Sequence, residues 1–124
     1  MNTEAETVVV LGASPKPERY SNQAVRLLLE KGHRVIPVHP AVDKIESLPV
    51  VRNLAEVETT VDTVTIYVSA AISSGLQNEL LRLAPQRVLF NPGAENPSLQ
   101  DALRERGVRV QEACTLVLLK TDQF

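Results

Sequence analysis

The sequence predicts an α/β protein with a doubly wound parallel sheet, three layers deep, in a single domain covering residues 1–124. Short continuous apolar runs, typical of strands buried on both faces, alternate with segments whose apolar residues recur at helical spacing. Because parallel strands need a crossover between them, this alternation favours a sheet covered by helices on both sides. The first apolar run ends at Gly12 and leads into a helical segment, which makes the predicted fold Rossmann-like.

The first βαβ unit occupies the N-terminal third of the chain. Its strands are residues 7–11 and 34–38, and the helix between them carries a broad apolar stripe over residues 22–31. Ser21 is a suitable N-cap for that helix, and Gly32 suits the position just past its end. We expect the crossover between the two strands to be right-handed.

Residues 41–61 form the least regular part of the pattern. Within them, residues 48–51 predict a short edge strand, where a proline is tolerated, and residues 54–57 predict one helical turn. The expected strand order is 3-2-1-4-5-6, with this short strand at the edge beside the second strand.

The C-terminal half continues the alternation of strands and helices. Strands are predicted at residues 63–68, 87–91 and 108–111. Helices are predicted at residues 73–83 and 96–107. Ser73 or Ser74 caps the first of these helices, and Asn96 followed by Pro97 starts the second. Residues 114–119 are apolar and fit a strand or a short helix, and periodicity leaves both open.

Composition and charge exclude several classes of protein. The chain has 124 residues, a net charge of −2 and 3% aromatic residues, which argues against a nucleic-acid partner. Every apolar run is shorter than the roughly 20 residues that a membrane span needs, and residues 1–6 are unlike a signal peptide. A single cysteine, Cys114, excludes an internal disulfide and fits a reducing compartment. We therefore expect a cytoplasmic protein without a membrane partner.

Four distant segments follow the ends of predicted strands. They are residues 12–21, 38–40, 68–71 and 91–94. The carboxyl ends of parallel strands share one edge of the sheet, and ligands of such folds bind there, near the switch point. We expect these segments to converge on one site.

The first of these segments, GASPKPERYS, is small, polar and basic. The backbone N–H groups of such a turn bind phosphate, as do the side chains of Ser14, Lys16, Arg19 and Ser21. The loop lacks the further glycines of a G-x-G-x-x-G loop, and the second strand ends in His39, where NAD-binding proteins carry an acidic residue. Both departures argue against NAD, and an additional phosphate would account for the additional cations.

Each of these residues also has a plainer interpretation. Lys16 and Arg19 are solvated loop charges on that view, but their position at the first strand–helix turn favours phosphate binding. Cys114 is expected to be a buried structural thiol, with a reactive thiol as the alternative. His33 is expected at the surface, and His39 at a strand end without a catalytic role.

Five pieces of the chain carry a resemblance to a known family. They are Gly12-Ala13-Ser14 with Lys16, Arg19 and Ser21; Val38-His39-Pro40; Tyr67-Val68-Ser69-Ala70; residues 91–96; and Cys114-Thr115. In the order and spacing of these pieces the chain resembles the small CoA-binding proteins related to the N-terminal domain of the succinyl-CoA synthetase α subunit. The resemblance covers nearly the whole chain.

The resemblance implies a small-molecule ligand, CoA or an acyl-CoA, and leaves a homodimer or a protein partner open. For the phosphates it implies Gly12, Ala13, Ser14, Lys16, Arg19 and Ser21. For the adenine it implies Val38, His39 and Pro40. For the pantetheine it implies Val68, Ser69, Ala70, Asn91 and Gly93. The last two would lie near the far end of the pantetheine. The chain departs from the family pattern at residues 67–71, where similar proteins often show a Phe-Arg pair, and at Asn91-Pro92, where many have Gln or Glu before the glycine.

No catalytic or metal-binding set is visible in the sequence. The synthetase α subunit carries its phosphorylated histidine in a second domain, for which this chain has no counterpart. Neither His33 nor His39 has a Ser, Cys or Asp partner in its local sequence. We therefore expect a non-catalytic binding or regulatory module. The alternative is a nucleotide-dependent enzyme, either an NAD(P) oxidoreductase or one subunit of an acyl-CoA synthetase.

Overall fold

The structure, a computed structural model, describes residues 4–124, so the expectation for residues 1–6 lies partly outside the described residues. The strands are Thr7–Leu11 (β1), Arg34–Val38 (β2), Lys44–Ile45 (β3), Leu48–Pro49 (β4), Thr63–Ile66 (β5), Arg87–Phe90 (β6) and Arg109–Glu112 (β7). The helices are Tyr20–Glu30 (α1), Ala70–Ser74 (α2), Gln77–Leu83 (α3), Pro97–Glu105 (α4) and Thr115–Lys120 (α5). A 3₁₀ turn covers Leu54–Glu56, where one helical turn was predicted.

The main sheet has five strands in the order β2-β1-β5-β6-β7, and all of its pairs are parallel. The predicted doubly wound parallel fold is therefore confirmed. Successive side chains of β1 point to opposite faces of the sheet. Val9 and Leu11 join an apolar cluster with the 3₁₀ turn, α3 and α4, whereas Val8 and Val10 pack with α1 and α5. Helices thus cover both faces, which gives the three layers that the sequence predicts.

The predicted edge strand at residues 48–51 is wrong over most of its length. Only Val51 pairs with β2, in a single bridge to Val38, whereas β4 pairs with β3 in an antiparallel hairpin. The Val51 N–H donates to the Pro37 carbonyl at 3.0 Å, and the His39 N–H donates to the Val51 carbonyl at 3.1 Å. Pro37 lacks the N–H that the next hydrogen bond toward this edge requires, so the ladder ends after one residue.

The start of α1 differs from the prediction and its end confirms it. The helix begins at Tyr20 with Arg19 at the N-cap position, and no side chain accepts a capping hydrogen bond. Ser21, the predicted cap, lies in the first turn and is 6% exposed. The helix begins earlier because the Arg19 carbonyl already accepts an N–H of the first turn at 3.0 Å. At the other end Gly32 has a φ of +90° and closes the helix as expected.

Residues 73–83 form two short helices, and not the single helix predicted. Gly75 lies between α2 and α3, where its low helix propensity favours a break. The predicted cap at Ser73 or Ser74 is wrong, because both residues lie inside α2 and the N-cap positions are Ser69 for α2 and Leu76 for α3. The Ser73 hydroxyl accepts from the side-chain amide of Asn96 at 2.9 Å. The prediction for the next helix is confirmed: the Asn96 side chain accepts a backbone N–H of α4 at 3.2 Å, and Pro97 is the first helical residue.

Residues 114–119, which fitted either a strand or a helix, belong to a helix. This is α5, which packs beside α1 on one face of the sheet. Within residues 4–124, no helix is long and apolar enough to cross a membrane.

Candidate functional site

The candidate site lies at the carboxyl edge of the sheet, where the loops after β2, β1, β5 and β6 follow one another in that order. The switch point lies between β1 and β5, because the chain first winds outward to β2 and then crosses to β5. At this point a Cβ on Gly12 would lie 2.7 Å from Cγ1 of Val68, and the φ of Gly12 is +88°. The N–H groups of Gly12 and Ala13 donate to the Val38 carbonyl at 3.3 and 3.2 Å. Three of the four predicted segments therefore meet at this glycine.

The loop after β1 is held from beneath by Asn22, which is fully buried. The Asn22 amide donates to the Ser14 carbonyl at 2.9 Å and to Glu46 Oε2 at 3.1 Å. Its oxygen accepts from Arg26 Nε at 2.8 Å, and the Arg26 guanidinium also donates to the Pro17 carbonyl at 2.8 Å. Sequence reasoning missed Asn22 and Arg26, although an asparagine on the apolar stripe of a helix was an available signal. These bonds fix the shape of the loop before any ligand arrives.

Lys16 and Arg19 extend from this loop into solvent. No side chain among residues 4–124 forms an ion pair or hydrogen bond with either charged group. Within the described part of the chain, four basic residues elsewhere pair with carboxylates, namely Lys31, Arg52, Arg87 and Arg104, whereas others such as Arg82 and Lys120 do not, so the position of Lys16 and Arg19 before α1 is what distinguishes them. The Lys16 N–H donates to the Ser14 hydroxyl at 3.1 Å, which folds the loop on itself. Two unpaired cations before a helix N-terminus create a positive potential that suits an anion.

Several predicted site residues offer little side-chain surface. Ala13, Val38 and Ser21 are buried, so a ligand meets their neighbours first. Because the N–H groups of Gly12 and Ala13 are bonded to the Val38 carbonyl, they shape the turn and are not free to donate to a ligand. His39 is half-buried, and its Nδ1 accepts two backbone N–H groups of the next turn at 3.0 and 3.3 Å. The imidazole therefore holds the loop after β2, beside the exposed Pro40.

The predicted pantetheine segment is open at its centre. Ser69 is exposed at the N-cap position of α2, and Val68 and Ala70 on either side are half-buried. This stretch lies next to the Gly12 turn, because Val68 is the residue that approaches the glycine. An extended ligand that leaves the first loop along the edge of the sheet would pass over it.

Tyr67 points from this segment into a buried polar cluster. Burial raises the pKa of Tyr67 to about 12, and the nearby Thr115 hydroxyl offsets part of that rise. The Thr65 and Thr115 hydroxyls are 2.7 Å apart and bond each other, and the Tyr67 hydroxyl makes no hydrogen bond of acceptable geometry with any residue of 4–124. Cys114 adjoins this cluster and is half-buried, more exposed than the predicted buried thiol.

Asn91 has a structural role that differs from the one implied for it. It is 2% exposed. Its amide donates to Thr65 Oγ1 at 2.7 Å and to the Ile66 carbonyl at 3.0 Å, and its oxygen accepts from Thr115 N at 2.8 Å. The Asn91 side chain therefore supports the fold through these bonds, and its place near the far end of a pantetheine stays a prediction. Gly93, two residues on, is exposed and has a φ of +91°.

A second charged cluster lies at the opposite, amino-terminal edge of the sheet. Arg87 is 5% exposed, lies 3.5 Å from Glu6 and stacks 4.5 Å from the centre of the Phe124 ring. Burial lowers the pKa of Arg87, against the opposing effect of Glu6. His33 joins this cluster, because its Nδ1 accepts from Glu6 N at 3.0 Å; it is half-buried, and so less exposed than the predicted surface residue. Burial lowers the pKa of His33 as well.

A cavity of about 580 Å³ runs along the outer edge of β2. Its lining is largely apolar, carries Arg34, Glu56 and Glu58 as its charged residues, and includes none of the predicted site residues. With two acids and one base, this lining disfavours phosphates, so charge, and not volume, favours the carboxyl edge as the candidate site. Among residues 4–124, no group of three His, Cys, Asp or Glu side chains is arranged to hold a metal ion.

Comparison with known proteins relates most of the chain to one family. A family model described as CoA binding domain matches residues 6–120. The uncharacterized protein YneT of Bacillus subtilis (strain 168) is 24% identical over 103 residues, which cover 83% of this chain and 76% of that protein.

Solved structures share the fold. An uncharacterized protein superposes with a TM-score of 0.92 at 35% identity, over 98% of this chain and 99% of its own. Acetyl-coenzyme A synthetase 1 of Ca. Korarchaeum cryptofilum, a dinucleotide-forming enzyme solved with phosphate and ADP, superposes with a TM-score of 0.70 at 24% identity. That match covers 85% of this chain but 25% of the synthetase chain, so the same fold occurs there as one part of a longer protein.

Proposed function

This chain belongs to the CoA-binding domain family, and on that premise we propose that it binds CoA or an acyl-CoA as a non-catalytic binding or regulatory module. The ligand lies along the carboxyl edge of the sheet, across the switch point between β1 and β5. Residues 1–124 act as one CoA-binding domain.

The unpaired cations of the first loop carry this proposal. Lys16 and Arg19 are exposed, and no described side chain forms an ion pair with them, although Glu18 lies between them in the chain. The loop that holds them is fixed by Asn22 and Arg26. A rigid loop that holds two cations beside the first N–H groups of a helix matches a pyrophosphate in charge and in hydrogen-bond donors. CoA also carries a 3′-phosphate that NAD lacks, which accounts for more cations than a dinucleotide loop needs.

The contacts along the ligand follow the order of the loops. Ser14, Lys16 and Arg19, with the first backbone N–H groups of α1, hold the phosphates. The turn at His39 and Pro40 flanks the adenine, and the segment centred on Ser69 lines the pantetheine. Gly12, Ala13 and Val38 shape this groove through their backbone bonds, and Asn91 supports it from below.

A non-catalytic role fits the chemistry of these groups. His39 is bonded through Nδ1 to the backbone of its own turn, and no described acid or nucleophile is bonded to it. The other histidine, His33, lies at the amino edge, away from the proposed ligand. General acid–base and nucleophilic catalysis both require partners within hydrogen-bond reach.

One observation favours a second candidate, a subunit of an acyl-CoA synthetase. The same fold forms part of a synthetase chain four times as long as the matched region. On this reading the protein binds CoA with the same residues but turns over acyl-CoA only with a partner chain. Purified protein alone then shows no turnover, and activity appears on adding a nucleotide-binding partner.

Thermal unfolding with added ligands tests the proposal. At a CoA concentration a hundredfold above Kd, binding stabilises the fold by about 2.7 kcal/mol, which raises Tm by roughly 10 °C. NAD at the same concentration is expected to leave Tm unchanged. No shift with millimolar CoA, or a larger shift with NAD, would contradict the proposal.

A further inference from the structure

A carboxylate stands beside the proposed phosphate loop, although the loop itself is basic. Glu46 Oε2 accepts from the Asn22 amide at 3.1 Å, and the same amide nitrogen donates to the Ser14 carbonyl at 2.9 Å. Two acceptors that share one nitrogen lie within about 6 Å of each other. The acid therefore belongs to the candidate site, although Glu46 lies 24 residues from Asn22 in the chain.

The hairpin of β3 and β4 holds Glu46 at this position. Glu46 and Ser47 form its two-residue turn, with φ angles of 51° and 67°. Both angles are left-handed, as a type I′ turn requires, and neither residue is a glycine. Ile45, beside the turn, is 1% exposed and packs in the core with β1 and α5. An unfavourable backbone conformation, anchored by a buried side chain, directs the carboxylate toward the loop.

This carboxylate lies close to where related folds carry an acidic residue, and the end of β2 carries none. In dinucleotide-binding folds an acidic residue after the second strand accepts hydrogen bonds from a ribose hydroxyl. Here the second strand ends in His39, whose Nδ1 is bonded to its own turn. Glu46, seven residues further on, brings a second acid to the first loop, which already contains the exposed Glu18, and is the one bonded to Asn22 beneath the loop.

We propose that Glu46 contacts the ribose of the bound nucleotide and sets the preference between a free and a phosphorylated ribose. The carboxylate accepts a hydrogen bond from a ribose hydroxyl and opposes a phosphate on the same sugar. Lys16 and Arg19, which belong to the loop itself, attract the phosphates. This inference rests on the proposed function, because it assumes that a CoA-like nucleotide occupies this edge.

The electrostatic effect of Glu46 is large enough to measure. At a separation of about 6 Å in water, repulsion between two unit charges changes an affinity about threefold, and a doubly charged phosphate raises this to about tenfold. Removing the charge of Glu46 should therefore increase the affinity for CoA more than the affinity for 3′-dephospho-CoA. Added salt screens the effect.

Isothermal titration of CoA and 3′-dephospho-CoA into the wild type, Glu46→Gln and Glu30→Gln tests the inference. Gln keeps an oxygen that accepts from Asn22, so the loop support is retained. Glu30 is an exposed acid at the far end of α1, and its substitution makes the same change in net charge. The ratio of the dephospho-CoA Kd to the CoA Kd should rise at least threefold in Glu46→Gln and stay unchanged in Glu30→Gln.

The outcomes separate this inference from the proposed function. An unchanged ratio in Glu46→Gln, in a protein that binds both ligands, overturns the role of Glu46 and leaves CoA binding intact. An equal rise in Glu30→Gln overturns it too, because net charge alone would then explain the effect. A wild type that binds neither ligand overturns the proposed function and this inference with it.

Discussion

The loops after β1 and after β6 lie at the same edge of the sheet, but they use their polar side chains in opposite ways. In the loop after β6 the side chains of Asn91, Glu95 and Asn96 all bond to groups of the protein itself. In the loop after β1 the backbone is held by Asn22, and the charged ends of the loop's own cations have no protein partner among the described residues. The charged groups of the first loop are therefore available to a ligand, whereas the polar side chains of the second loop are bonded within the protein.

Because of this difference, substitutions in the two loops should affect different properties, either the stability of the unliganded protein or its affinity for a ligand. A substitution in the saturated loop removes contacts that the unliganded protein already makes, so the free energy of unfolding falls. A substitution of an unpaired cation in the first loop removes nothing from the unliganded protein, so its effect appears only when the ligand is present.

The largest stability effect is expected from Asn91→Leu. The change leaves the buried N–H of Thr115 and carbonyl of Ile66 without this partner, at a cost of about 2–5 kcal/mol. Urea unfolding measures it. Lys16→Ala is the matched control in the other loop and should change stability by less than about 0.5 kcal/mol. Equal losses in the two variants would remove the contrast between the loops.

Substitutions of one glycine in each of the same two loops compare the backbone constraints of those loops. Gly12→Ala combines a left-handed φ with a Cβ that would lie 2.7 Å from Val68 Cγ1, so we expect a loss of about 2–4 kcal/mol. Gly93→Ala has a similar φ but meets no atom within 4 Å, so backbone strain alone costs about 1 kcal/mol. Thermal or urea unfolding of both variants gives the comparison. A Gly93→Ala loss as large as that of Gly12→Ala would mean that packing at the switch point adds nothing.

At the amino-terminal edge of the sheet, we expect a smaller effect on stability that does not depend on a ligand. Burial lowers the pKa of His33 below the ordinary value of 6.5, so the unfolded chain takes up a proton at a higher pH than the folded chain does. Stability is therefore full above this range and is lost as the pH falls through 6.5 toward the folded pKa. Urea midpoints at about pH 7.5 and pH 5.5 measure the loss. His33→Gln should flatten this dependence, and an equally steep dependence in the variant would assign it to other groups.

Local rules predicted the features that depend on neighbours in the chain. The Gly12 turn, the cap of α4 at Asn96 and the parallel order of the other five predicted strands are confirmed by the structure. The prediction of an edge strand at residues 48–51 was wrong over most of its length because the residue without an N–H points toward the outer edge of β2. The sequence does not show which residues of a strand point toward that edge. Pro37 was visible in the sequence, but its orientation in the sheet was not.

The parts of the site that sequence reasoning missed depend on distant partners. Asn22 joins a carbonyl eight residues before it and a carboxylate 24 residues after it. Asn91 was assigned to the ligand because its neighbours fit a family pattern, but its bonds to Thr65 and Thr115 span 26 and 24 residues. Side chains whose partners are set by the folded sheet have no local signature that separates support from binding.

Calorimetric titration of CoA into the wild type, Lys16→Ala, Arg19→Ala and Lys31→Ala tests the central claim most directly. Each charged hydrogen bond to a phosphate contributes roughly 1.5–3 kcal/mol, so either loop substitution should weaken CoA binding about tenfold to a hundredfold. Lys31 is an exposed cation at the far end of α1, paired with Asp122, and its removal should leave the affinity unchanged. A wild type that binds CoA with an affinity that neither loop substitution lowers, or that Lys31→Ala lowers equally, would contradict the account.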